Sequence, residues 1–339
     1  MKNKARNFFL AFGIIAIVIM LCTMDMDYHD IWRYLQRLGL YFPAILLLWA
    51  GVYMINTLSW FLIINDEKRY KNLSYWRVYK LSISGFALNY TTPCGLMGGE
   101  PYRIMELKPY IGTSKATSSV ILYVMMHIFS HFWFWFLSIF LYIAVHPVNA
   151  TMAILLTVIG AFCLLAFYFF SHGYRTGMAK KGIKLLTHVP FVKNWAKGFI
   201  ASKQDTLEQI DQQIAMLHQQ HKSTFYSALL LELSSRIIQS FEIYLILKAF
   251  SADVSVIDSI LIMAFSSLFS NLIFFTPMQL GSREGGLALA VDGLHLSGAL
   301  GVYTGLITRL RELVWIAIGI LLIKIGNKNV KNIENHEQA

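Results

Sequence analysis

Apolar residues run along this chain in long unbroken blocks rather than alternating with polar ones. The blocks at 8–24, 41–64, 114–145, 148–170, 223–250 and 298–325 each approach or exceed the roughly 20 residues needed to cross a bilayer. They predict six full crossings. Two further apolar stretches, 78–92 and 258–275, run into sequence of another kind. The first becomes TPCGLMGGE, from Thr92 to Glu100, and the second TPMQLGSRE, from Thr276 to Glu284. Both share the frame T-P-x-x-L-x-x-x-E.

The interval from Ser82 to Thr92 is worth about 16 Å of helix, against a hydrocarbon core of about 30 Å. It cannot cross alone. The pattern predicts a re-entrant hairpin that climbs partway, breaks at Thr92 and Pro93, and returns through a short helix from Gly99 to Leu107. Gly95, Gly98 and Gly99 belong to the same break, since proline and glycine interrupt a helix. A second hairpin is expected to enter near Asp258, break at Thr276, Pro277 and Gly281, and return through Glu284 to Val291. Proline and glycine also kink ordinary membrane helices, but here the whole frame repeats, glutamate included. Backbone freed at membrane depth must be buried in protein or line a polar cavity.

The offset that carries Glu100 onto Glu284 also carries 41–64 onto 225–248 and 114–140 onto 298–324. The expected fold is therefore an all-α polytopic membrane protein in one transmembrane domain over 1–339, with six full transmembrane helices and two re-entrant hairpins. The hairpins lie in inverted-topology repeats, the first over 8–145 and the second over 148–326. Secondary transporters use this plan to bring broken helices together at the midplane.

Composition agrees, with 56% hydrophobic residues, 14% charged and a mean hydropathy of +0.52. Lys and Arg gather at the N-terminus, in 65–80, in the insertion 171–222, and at Lys324, Lys328 and Lys331, all expected to be cytoplasmic by the positive-inside rule. Both chain ends then fall in the cytoplasm. Asp25, Asp27, Asp30, Asp253 and Asp258 suit the opposite face. An eight-span arrangement without hairpins would put the basic insertion outside. Within that insertion Leu207, Ile210, Ile214 and Leu217 form a stripe at helical spacing, expected to lie on the membrane surface or on the loop's own helices. The three cysteines, Cys22, Cys94 and Cys163, have no paired spacing and indicate neither disulfides nor a zinc site.

Charge inside a membrane costs about 2.5–3.5 kcal/mol per residue even on insertion scales. It should therefore pair or serve function. Glu100 and Arg103 in the first hairpin, Arg283 and Glu284 in the second, and Arg309 and Glu312 on the last helix are the candidate substrate-binding residues. An arginine fork and a helix N-terminus both suit a phosphate. The glutamates would contact a headgroup, exchange a coupling proton or neutralise the arginines. Glu232 and Arg236 have the spacing to neutralise one another. His127 and His131 are four apart but lack a third ligand at suitable spacing, so they read as polar residues facing the bundle interior. No nucleotide loop, zinc-protease motif or ATP-hydrolysing signature occurs, and no cofactor, metal or nucleic acid is expected.

The motifs from Thr92 to Arg103 and from Pro277 to Gly285, with the Arg309-bearing last helix, resemble the lysylphosphatidylglycerol synthase transmembrane family. This is the flippase-like domain of the multiple peptide resistance factor. The resemblance implies a protein of the bacterial cytoplasmic membrane that moves a lipid or lipid-linked molecule between leaflets. It implies a substrate role for Glu100, Arg103, Arg283 and Glu284, with Arg309 beside them. An acidic–basic pair of the family pattern has no counterpart on the helix after the first motif, which reads Tyr123-Val124-Met125-Met126-His127. No aminoacyl transferase domain accompanies the motifs, so the expectation is transport without lipid synthesis. The expected partner is a membrane lipid with an anionic phosphate headgroup. The competing classes are an integral-membrane transferase and a non-catalytic subunit of an envelope-synthesis complex; a homo-oligomer is compatible with each.

Overall fold

A computed structural model describes residues 35–66, 70–91, 98–176, 205, 208, 211–212, 215, 221–273, 281–294 and 296–324. Thr92, Pro93, Gly95, Thr276, Pro277, the apolar block 8–24 and the Leu207-to-Leu217 stripe lie outside the described residues.

Nine helices occur among the described residues: α1 (Tyr41–Ile64), α2 (Tyr75–Thr91), α3 (Gly99–Ile111), α4 (Thr113–Val145), α5 (Ala150–Thr176), α6 (Lys222–Ala249), α7 (Val256–Leu272), α8 (Ser282–Asp292) and α9 (Gly298–Lys324). Three segments, Tyr41–Ile64, Thr113–Val145 and Ala150–Gly173, are long and apolar enough to cross a membrane. Together with the composition they mark an integral membrane protein. Helices α6 and α9 have 28 and 27 residues, ample length at about 1.5 Å per residue, but carry buried charge. The short elements flank the two motifs. Helices α2 and α7 each have 17 residues, or about 25 Å. The first is thus longer than its apolar stretch predicts, because Tyr75, Trp76 and Tyr79 pack its early turns in an edge-to-face series.

Matched in the order of the sequence offset, α1–α4 and α6–α9 pack alike. Helix α1 packs on α2 as α6 on α7, α2 on α3 as α7 on α8, and α3 on α4 as α8 on α9. Between the sets, α2 packs on α9 as α7 on α4, and α4 on α6 as α9 on α1. The centre is the contact of α1 with α6.

Without water between helices, close approach depends on small residues. A Cβ on Gly319 would come within 2.6 Å of the Ala87 Cβ, and one on Gly305 within 2.9 Å of Glu284 Cγ. A Cβ on Gly99 would fall on the Gly85 carbonyl, and one on Gly85 on the Arg103 guanidinium. Gly99 of the first motif is thus a packing device, and Gly98 beside it has an ordinary φ of −99°. Gly281 differs, entering α8 at φ +77°, where a side chain is disfavoured.

Two histidine–aspartate contacts tie helix ends together. His221 Nδ1 lies 3.5 Å from Asp66 Oδ1, joining the start of α6 to the end of α1. His146 Nε2 lies 3.3 Å from Asp258 Oδ1, joining the end of α4 to the start of α7. Each pair links ends that the charge distribution assigns to one side. Asp258 also closes a capping box, accepting the Ser255 N–H at 2.9 Å while Ser255 Oγ accepts the Asp258 N–H at 3.1 Å, as such caps do.

Candidate functional site

Helix α6 carries an unusual face. Glu232, Ser235, Arg236, Gln239 and Glu242 are all buried and recur at three- and four-residue intervals, which places them on one side of the helix. Gln239 donates to Ser235 Oγ at 3.1 Å within the stripe. Glu232 and Glu242, ten positions apart, are about 15 Å apart along the axis. At each end stands a cluster of charge.

The cluster at Glu242 gathers residues of the second motif with α9 and the end of α2. Arg311 of α9 grips Glu242 with a two-pronged fork, Nε to Oε1 at 2.9 Å and Nη2 to Oε2 at 2.9 Å. Trp49 of α1 donates to Glu242 Oε2 at 2.8 Å, and its ring lies 3.6 Å from the Arg311 guanidinium carbon. Such a fork, stacked and hydrogen-bonded, is the geometry in which arginine differs from lysine. Arg311 Nη1 lies 3.7 Å from Glu312 Oε1, which also accepts from Arg283 of α8. The adjacent Glu284 accepts from Arg309 Nε at 2.8 Å and from the Gly281 N–H at 2.9 Å. Neighbouring residues of α8 therefore pair with residues three apart on α9, as the helical repeat allows.

Tyr90, near the end of α2, completes this cluster. Its hydroxyl donates to Glu312 Oε1 at 2.6 Å and accepts from Arg283 Nη2 at 2.7 Å. A residue just before the first motif therefore touches a residue within the second. Arg283, Arg309 and Arg311 are matched by Glu242, Glu284 and Glu312, so the cluster is electrically balanced. Four of the six, Glu242, Arg309, Arg311 and Glu312, are buried, which is tolerable only with such pairing.

The other cluster joins α3, α4 and α6. Arg103 of α3 lies 3.5 Å from Glu100 Oε1 and donates to the Ser82 carbonyl of α2 at 3.2 Å. Its guanidinium carbon is 5.5 Å from the ring centres of both Trp60 and Tyr123, within cation–π range. Asn89 links the arms of the first pair: it donates to Glu100 Oε1 at 2.8 Å and accepts the Gly99 N–H at 2.7 Å. Glu232 and Arg236 do not pair directly among the described contacts. Glu232 Oε2 meets His127 Nδ1 at 2.8 Å, while Arg236 donates to Ser130 Oγ and to the His127 carbonyl, each at 2.8 Å.

Of the six residues singled out by sequence, Arg283, Glu284, Arg309 and Glu312 thus meet at α8 and α9, whereas Glu100 and Arg103 lie with α3. Tyr90, Trp49, Glu242 and Arg311 were not singled out. The stripe Glu232, Arg236, Gln239 and Glu242 was visible as a helical period of polar residues in an apolar block. Tyr90 and Trp49 had no such signal. Among the described residues no group of three or more His, Cys, Asp or Glu side chains is placed to hold a metal ion.

No curated protein and no solved structure matches the chain significantly. The family described as the lysylphosphatidylglycerol synthase TM region matches residues 8–319, a stretch that contains both motifs and every helix but the last turns of α9. Such membership supports a membrane lipid-related function. This chain belongs to the lysylphosphatidylglycerol synthase transmembrane-region family.

Proposed function

We propose that the protein is a flippase-like transporter that moves a phospholipid or a lipid-linked phosphate-containing molecule between leaflets. The observation that carries this reading is the buried polar stripe of α6, which runs from the Glu232 cluster to the Glu242 cluster through otherwise apolar helices. A headgroup travelling along that stripe exchanges partners with the paired charges while its chains stay in the bilayer. Phosphate and carboxylate present similar oxygens to an arginine fork. An anionic headgroup can thus take the place of a glutamate without leaving an arginine unpaired, and the glutamate takes it back on release. The matched packing of α1–α4 and α6–α9 supports inverted repeats. It would let the two sets rock about the α1–α6 contact, as in transporters of that plan.

The test is reconstitution of the pure protein in liposomes with headgroup-labelled phosphatidylglycerol, lysylphosphatidylglycerol and a polyprenyl phosphate, following leaflet exposure and chemical identity together. A changed leaflet with unchanged chemistry is expected for at least one lipid. A new lipid species would instead establish a transferase. Transport that survives Arg103→Ala and Arg283→Ala together would remove both arginines from the site.

A further inference from the structure

The pair formed by His127 and Glu232 is not explained by holding helices together. Arg236 already fastens α6 to α4 through Ser130 and the His127 carbonyl. Glu232 is left to the imidazole alone: Oε2 meets Nδ1 at 2.8 Å, and Oε1 is buried without a hydrogen-bond partner. The two side chains are also unequally placed. That of His127 is 39% exposed and that of Glu232 only 1%. One turn further along α4, His131 stands with its ring 5.7 Å from that of His127 and its Nδ1 buried without a partner.

We infer that His127 and Glu232 form a proton-binding site that couples proton movement to passage of an anionic lipid headgroup. This rests on the transport reading above and names its coupling ion. With Nδ1–H donating to Glu232, His127 Nε2 is free to accept a proton from the exposed side. The Nδ1 proton then passes to Glu232 Oε2, so that one proton enters, the imidazole ends neutral in its other tautomer, and the carboxylate becomes a carboxylic acid. No other bond changes.

The surroundings give this step a consequence. Arg103 and Glu100 face the site from α3, Arg236 from α6, and Tyr123 and His131 from α4 itself. Helix α1 presents Trp60 to Tyr123, whereas α5 packs Phe167 and Phe170 on Phe129 of α4. The ionisable side chain of α7, Asp258, is engaged with His146 at the far end of α4. With Glu232 ionised, two arginines balance two glutamates. With it protonated, one positive charge is left over, and an anionic headgroup is what neutralises it. Proton and anion therefore favour each other's binding, which is reciprocal coupling between two sites. A sodium ion would need several oxygen ligands, and Glu232 supplies a single uncommitted one.

The first experiment uses the full chain in proteoliposomes with labelled phosphatidylglycerol. Leaflet exchange is expected to accelerate under an imposed proton gradient and to ignore a sodium gradient. Glu232→Gln and His127→Asn are each expected to show one rate with and without the proton gradient, while His146→Asn keeps the acceleration. Wild-type exchange that is indifferent to the proton gradient, or driven by sodium, overturns the inference and leaves the transport reading intact. The second experiment needs no transport. In nanodiscs, acidification is expected to raise an infrared carboxylic-acid band that is missing in Glu232→Gln and altered in His127→Asn. Absence of that band from the wild type overturns the inference even if no lipid moves, the outcome that would also sink the transport reading.

Discussion

Tyr90 and Arg283 are 193 positions apart and share a hydrogen bond of 2.7 Å. The phenol stands near the end of α2 beside one motif, and the guanidinium lies in the first turn of α8 within the other. Because the same hydroxyl donates to Glu312, it sets the distance between α2 and the paired charges of α8 and α9.

Tyr90→Phe keeps the ring and removes the hydroxyl that both Arg283 and Glu312 use. The expected destabilisation is about 1–3 kcal/mol, the cost of leaving buried polar groups unsatisfied. Unfolding in mixed micelles measures it. Leaflet exchange is expected to slow in the same variant, and an unchanged rate would place Tyr90 outside the transport path.

Arg283→Ala takes the closest guanidinium from buried Glu312, leaving it the Tyr90 hydroxyl and the more distant Arg311, and is expected to cost about 3–5 kcal/mol, whereas replacing both by apolar residues of similar volume should lose much less. The pair of variants separates stability from transport. Arg283→Met with Glu312→Leu should fold in a similar range to the wild type yet fail to move lipid.

Gly305→Val drives a side chain into Glu284, whose Cγ would lie within 2.9 Å of the added Cβ. It should separate α8 from α9, break the Glu284–Arg309 pair and lower the melting temperature. Gly51→Ala is the control: nothing lies within 4 Å of its added Cβ. In the interior of α1 it should be neutral or stabilise by up to about 1 kcal/mol. A melting temperature that falls equally in both variants would refute the close-packing explanation.

The end pairs Asp66–His221 and His146–Asp258 mark opposite faces if the short helical pairs are re-entrant. Cysteines placed at exposed Asn72 and Asn149 are then expected to react with an impermeant thiol reagent from opposite sides, position 149 from outside in intact cells. Labelling of both from one side would reject that topology.

The helix boundaries were largely legible in the sequence. The blocks 41–64, 114–145, 223–250 and 298–325 fall within a residue or so of α1, α4, α6 and α9. A bilayer-length apolar run forms a helix to satisfy its own backbone, a requirement local in sequence. The early turns of α2 were missed because their residues are aromatic and basic as well as apolar, and packing rather than hydropathy makes them helical.

The sequence by itself determined that the chain is a bundle of membrane helices interrupted twice at a repeated motif, with charges at Glu100, Arg103, Arg283, Glu284, Arg309 and Glu312 that demanded partners. Only the tertiary structure decided which partners. Glu312 chose Arg283 and Tyr90 over Arg309, its neighbour one turn away; Glu232 chose His127 over Arg236; and Glu242, Arg311 and Trp49 formed a knot that no spacing announced. The reason is physical. Backbone hydrogen bonds close within a few residues of chain, but a buried charge is satisfied by whichever opposite group the packing of distant helices brings within about 3 Å, and that distance is written in no single segment.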